Sequence, residues 1–157
     1  SPSTARLIKL ACPNTPVAAD HPCKAVYYYG SSGKRHAFPN AQVYFTWYND
    51  FLSVQEVSPS FIASIPLGRN VRYRAGVRMV KFTTLNRVYA VSRAGTLRWV
   101  TTEEVARALY GSTWARQIDD ISDVFFTDYT FGADITASSQ YNAANELAQT
   151  SSINLDW

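Results

Sequence analysis

The chain has 157 residues, 46% of them apolar and 14% aromatic, with a formal net charge of +3. That length accommodates one domain, or two small ones sharing an interior, and the apolar share excludes wholesale disorder. No apolar stretch approaches the roughly 18 residues of a membrane-spanning helix, so no membrane span is expected; the opening SPSTAR lacks the charged-then-apolar pattern of a secretory leader, and any leader is expected to have been removed already.

In chain order, the first predicted element is a strand at RLIKL, residues 6–10. The stretch after it, ACPNTPVAADHPC, is rich in Pro, Ala, Asn and Asp and reads as an irregular loop able to curl until Cys12 and Cys23 meet. A disulfide there contributes roughly 3 kcal/mol in the chain-entropy picture and implies an oxidising compartment. The alternatives are two unrelated thiols in a cytosolic protein, or a zinc site with His21, although one His and two Cys at this spacing match no usual ligand set. Next comes a hairpin, VYYYGSSGKRHAF (26–38), whose turn supplies Gly33 where positive φ is needed. A helix follows in PNAQVYFTWYND, with Pro39 near its start and Val43 and Trp47 four apart. SPSFIASI signals a second, short helix, with Ser58 as N-cap and Pro59 at the first helical position. Gly68 and a short strand, NVRYR, close the series.

The series then repeats. RMVKF (78–82) answers RLIKL at an offset of 72, and VYAVSRAGTLRWV (88–100) answers the hairpin at 62. The offset of 62 holds as far as Tyr48 and Tyr110, and becomes 64 from Val54 and Ile118 to Val71 and Ile135. The ten additional residues upstream are the insert that carries both cysteines. Ordered matches with gaps only in loops are what tandem duplication predicts. In the second copy Thr101 and Glu104 suggest a capping box, Val105, Ala108 and Leu109 recur at helical spacing, and Gly111 is a stop. SDVFFTDY, capped by Ser122, is its second helix and ADI its closing strand. The expectation is an α+β fold: residues 1–77 as a first repeat with a disulfide-loop insert, 78–136 as a second repeat and 137–157 as a tail. The copies are expected to pack into one domain with mainly antiparallel sheets. The aromatic residues matched, or nearly so, between copies (Tyr27, Tyr89, Phe38, Trp47, Tyr48, Tyr110, Trp114, Phe61 and Phe125) are assigned mostly to the core.

The strings VYYYGSSGKRHAFPNAQVYFTWYNDF, IPLGRNVRYRAGVRMVKFTTLNRVYAVSRAGTLRWVTTEEVARALYGSTW and DDISDVFFTDYTFG resemble a Trp/Tyr-rich duplicated domain of predicted secreted and cell-surface proteins from uncultivated bacteria, over roughly residues 6–135. The resemblance implies an extracellular module and carries no activity or binding residues with it. The cysteine insert and the tail look like additions to that pattern.

Candidate chemistry is sparse. The two histidines, His21 and His36, stand in no Ser/His/Asp or Cys/His pattern, so no catalytic residue is expected. GSSGKR lacks the Walker spacing and reads as a hairpin turn. Asp119, Asp120, Asp123, Asp128 and Asp134 offer oxygens to calcium, but without the EF-hand spacing or its terminal Glu; helix-start charges and solvated surface are the ordinary reading, and neither a metal nor a cofactor is expected. Charge is lopsided: residues 1–78 carry nine Lys or Arg against three Asp or Glu, net +6, and residues 79–157 carry six against nine, net −3. Arg69, Arg72, Arg74 and Arg78 crowd around one predicted strand, with Arg72 and Arg74 on one face by alternation. Such a stripe suits an acidic glycan, the acidic half of a neighbouring copy in a head-to-tail contact, or plain solvation; nucleic acid is not the expected partner. In the tail, Ile153, Leu155 and Trp157 alternate with polar residues, as in a strand docked on its own domain or on a neighbour, and SPSTARLIKL is open to the same use.

The sequence thus points to a non-enzymatic, extracellular or cell-surface structural protein acting in adhesion, self-assembling into a filament or surface layer through Arg72, Arg74, Ile153, Leu155 and Trp157. The alternative is a carbohydrate or cell-wall binding module using surface Tyr and Trp.

Overall fold

In the computed structural model, which describes residues 4–157, the chain divides into two units, Ser1–Val71 and Arg72–Trp157. The division falls after Val71, so residues 72–77 go with the second unit.

In the first unit, strand β1 (Arg6–Leu10) pairs antiparallel with β2 (Tyr27–Tyr29), and β2 pairs antiparallel with β3 (Arg35–Ala37). Helix α1 (Ala41–Trp47) then carries the chain across to β4 (Val54–Val57), which lies parallel to β1 and completes the order β3-β2-β1-β4. The helix starts where it does because the Asn40 side chain accepts a 2.9 Å hydrogen bond from Val43 N, satisfying one of the amides a helix start leaves orphaned. Helix α2 (Pro59–Ala63) follows, with Ser58 capping Phe61 N and Pro59 where the missing N–H costs nothing. Ile62 and Ile65 bury their side chains against Ile8 of the central strand.

The second unit repeats this plan. β5 (Met79–Phe82) pairs antiparallel with β6 (Tyr89–Ser92), and β6 with β7 (Thr96–Trp99). Helix α3 (Glu103–Tyr110) leads to β8 (Ile118–Ile121), parallel to β5. A two-residue strand, β9 (Thr130–Phe131), runs parallel to β7, giving β8-β5-β6-β7-β9. Met79, Ala90, Val105, Ala106, Ile135 and Tyr141 form the core here.

The registers coincide pair by pair. Leu7 faces Val54 and Met79 faces Ile118; Ile8 faces Tyr27 and Val80 faces Tyr89; Tyr27 faces Ala37 and Tyr89 faces Trp99. Loop hydrogen bonds match as well. Phe38 N donates to Val26 O as Val100 N does to Val88 O; Gly68 N to Arg35 O as Gly132 N to Leu97 O; Val71 N to Ala37 O as Ile135 N to Trp99 O. Every one of these pairs is related by the offsets of 62, 64 and 72 read from the sequence.

The fold is α+β, and among the described residues four of seven strand pairings are antiparallel. The three parallel ones were not anticipated, because alternation reads alike in either direction and only a crossover helix distinguishes them. Other details also differ. NVRYR is not a strand: the adjacent residues Arg72 and Tyr73 are both buried, so there is no alternating face. ADI contributes a single bridge, Val100 to Ile135. The cap of α3 is Thr102, which accepts from Val105 N, while Thr101 Oγ1 donates to Ile135 O. Asp123–Asp128 is a 3-10 helix. The tail forms helix α4 (Ala143–Gln149), capped by Asn142, and a 3-10 turn at Ile153–Leu155 in place of a strand.

Candidate functional site

The residues expected to make contacts with other molecules are mostly engaged inside the second unit. Arg72 is 3% exposed and donates through Nη2 to Asp156 O and through Nη1 to Asp128 O, 3.4 Å away. Its guanidinium also lies 5.6 Å from the centroid of the Trp157 ring. Arg74 donates to Thr150 O at 2.8 Å and to Leu147 O at 3.5 Å. Ile153 is buried; Leu155 alone of the five is exposed. The remaining arginines expected in the stripe part ways: Arg78 pairs with Asp119 at 2.9 Å, and Arg69 is exposed. At the other end of the chain Arg6–Leu10 is an interior strand of its own sheet, and residues 1–3 lie outside the described residues.

His36 is buried in the first unit with Ser32 Oγ 2.7 Å from its Nε2 and Arg69 O 2.8 Å from its Nδ1. A carbonyl only accepts, so in the neutral ring Nδ1 carries the proton and Nε2 accepts from the serine. This is the spacing of a nucleophile and its base, a juxtaposition the sequence reading missed. The second unit reveals the structural duty of the same position: Arg98, 62 residues on, donates from Nε to Ala133 O at 3.0 Å. Ala133 is the counterpart of Arg69. Both side chains tie the third strand to the loop that follows the second short helix, and Ser32 in addition accepts from Lys34 N to hold the hairpin turn.

The insert builds something that the second unit lacks. Cys12 and Cys23 form a disulfide with 5.0 Å between Cα atoms. Beside it a cleft of about 370 Å³ opens between the insert and α1, lined by Asp20, His21, Lys24, Phe38, Tyr44 and Phe51 among others. Its floor is aromatic. Phe51 stacks on Tyr44 with centroids 4.5 Å apart, Phe38 meets Tyr44 edge-on at 5.1 Å, and Tyr48 stacks on Tyr44 at 5.3 Å. The turn after α1 sets Phe51 in place: Tyr44 OH donates to Asp50 O, and Asp50 Oδ1 accepts from Leu52 N. Phe51 remains 51% exposed although Phe45 also meets it edge-on at 5.2 Å, and Phe45 and Leu52 beside it are exposed too. Burial raises the Tyr44 phenol above its ordinary value, helped by the Asp50 carboxylate; burial and the neighbouring Tyr28 and Tyr44 push Tyr48 up to about 12. Both are neutral hydroxyls under ordinary conditions. The insert supplies the polar wall. His21 Nδ1 accepts from Cys23 N at 3.0 Å, which leaves the ring proton on Nε2 as a donor. Asp20 and Lys24 bring opposite charges to the same wall.

In the second unit a smaller cleft of about 260 Å³ is lined by Arg87, Tyr89, Trp99, Phe131 and Asp134, with the Arg87 guanidinium 4.0 Å over the Trp99 ring. Of the nine aromatic residues assigned mostly to the core, Phe38 and Tyr89 are buried and the other seven are half-buried. The acid and the ring that frame the first cleft, Asp20 and Phe51, carry no motif in the sequence; the signal was the unrepeated insert itself. Within the acidic run, Asp119 binds Tyr73 OH and Arg78, and Asp123 accepts from Thr83; among the described residues no three His, Cys, Asp or Glu side chains converge on a metal-sized site. Nor, among the described residues, is any helix long and apolar enough to cross a membrane. No family model matches the chain, and no curated protein or solved structure matches it.

Proposed function

We propose that the chain is a non-enzymatic extracellular adhesion module whose first unit binds a glycan of a cell surface or cell wall in the cleft beneath the disulfide loop. The observation that carries this reading is the half-exposed Phe51 ring on its Tyr44 support, facing a polar wall donated by an insert that the second unit does without. A pyranose offers an apolar C–H face for such a ring and hydroxyls for His21, Asp20 and Lys24, and because the wall carries both signs it selects for no net charge. The volume lies within the range of small-ligand sites. Function residing on a loop added to a rigid scaffold is the common arrangement, and descent of both units from one ancestor is part of the same proposal. The disulfide supports an oxidising, extracellular setting.

Retention of the purified protein on insoluble cell-wall polysaccharides, followed by glycan-array profiling, tests the reading. Binding is expected, with a loss of about ten-fold in Phe51→Ala, equivalent to about 1.4 kcal/mol of stacking. No retention, or equal binding by Phe51→Ala, would overturn it. Polymerisation through an exposed Arg72, Arg74, Ile153, Leu155 and Trp157 surface has less support, since four of the five are drawn into their own unit.

A further inference from the structure

The tail is gripped in an unusual way. Four arginines of the second unit donate to its main-chain carbonyls: Arg98 to Gln140 O at 3.0 Å, Arg74 to Leu147 O and Thr150 O, Arg93 to Leu155 O, and Arg72 to Asp156 O. Main-chain recognition of this kind is indifferent to side-chain identity, so specificity falls to a few anchors. Tyr141 is buried and its hydroxyl donates to Val91 O at 2.7 Å; Ile153 is 2% exposed; Thr150 is fully buried. Gly76 makes room for the helix, because a Cβ there would overlap Ala143 O. The first unit forms the corresponding sheet with no such segment, so the strand pairings do not depend on one. Residues 136–140, at its start, are exposed.

We infer that residues 137–157 are an exchangeable strap, and that the groove they fill is a joint between copies of this chain: the strap of one copy seats on the second unit of another. Every contact made within one chain is available between two, so exchange costs little beyond the loss of effective concentration that the short connection provides. Exchange is therefore promoted by high concentration and by transient opening of the strap. The inference is independent of glycan binding in the first unit.

Two full-length variants test it. Ile153→Asp spoils the strap and leaves the groove intact; Arg74→Glu spoils the groove and leaves the strap intact. Refolded separately at high concentration, each is expected to sediment as a monomer; refolded together, they form a one-to-one dimer. Monomers alone in a mixture of two folded variants would overturn the inference. Should either variant fail to fold, the wild-type chain is refolded with an excess of a fluorescent synthetic peptide of residues 137–157. Co-migration of the peptide, reduced about ten-fold by Ile153→Asp in the peptide, supports the exchange; no uptake contradicts it.

Discussion

The two units tie the same joint with different side chains. In the first, a buried His36 ring reaches Arg69 O; in the second, the Arg98 guanidinium reaches Ala133 O and extends to Gln140 O of the strap. The glycine beside each joint differs accordingly. A Cβ on Gly68 would come within 2.5 Å of His36 Cε1, whereas on its counterpart Gly132 it would meet the Thr96 methyl at 2.8 Å. The comparison teaches that pairing register is the shared property of the units, while the side chains packed on it differ. What is unshared is also localised: a disulfide insert that walls a cleft in one unit, and a strap clamped by arginines on the other.

The largest expected effect breaks that asymmetry at the strap. Gly76 has φ +78° and the Ala143 carbonyl against it, so Gly76→Ala combines backbone strain with a clash against main chain that cannot rotate away. A loss of about 3 kcal/mol or more is expected in urea unfolding, with increased protease cleavage in residues 136–157. The second effect is confined to the first unit: reduction of the disulfide, or Cys12→Ser with Cys23→Ser, lowers stability by roughly 3 kcal/mol and abolishes retention on polysaccharide. Third, the matched pair Gly68→Ala and Gly132→Ala should separate, at about 2 kcal/mol against about 1 kcal/mol or less, since His36 is held at both ring nitrogens and a threonine methyl near the surface can give way. Equal losses would remove the distinction between the two joints.

The smallest effect depends on pH. Asp156, near the end of the strap, is buried with Ala94 N–H on its Oδ1 and the Arg72 and Arg93 guanidinium groups nearby; burial outweighs those three and raises its carboxyl from 3.8 to about 6. The folded state therefore favours the protonated acid. Its contribution to stability is complete below pH 3.8 and is lost as pH rises through about 6. Relative to wild type, Asp156→Asn should gain about 1–2 kcal/mol on going from acid to neutral pH, measured by urea denaturation at matched pH values. A pH-independent difference would contradict the assignment.

Much of this scaffold was legible in the sequence. The offsets gave the equivalences, and Ser58, Ser122, Pro59, Gly33 and Gly111 were placed correctly because capping and positive φ are local properties. Three things were not legible. Parallel pairing depends on where a crossover returns the chain. The burial of Arg72 depends on carbonyls more than fifty residues away, at Asp128 and Asp156, which no period-two reading of its own segment can register. The cleft floor depends on Phe51, whose value comes from stacking on Tyr44 and not from any motif. A charged run and an alternating tail both read as surfaces for other molecules; folded, Arg72 and Arg74 of that run bind carbonyls of that tail.

Amide hydrogen exchange followed residue by residue is the most direct test of one pairing scheme used twice. The amides of Phe38 and Val100, Gly68 and Gly132, and Val71 and Ile135 should be protected as matched pairs, each donating to equivalent carbonyls. Protection in one member of these pairs with free exchange in the other would show that the two units are not built alike.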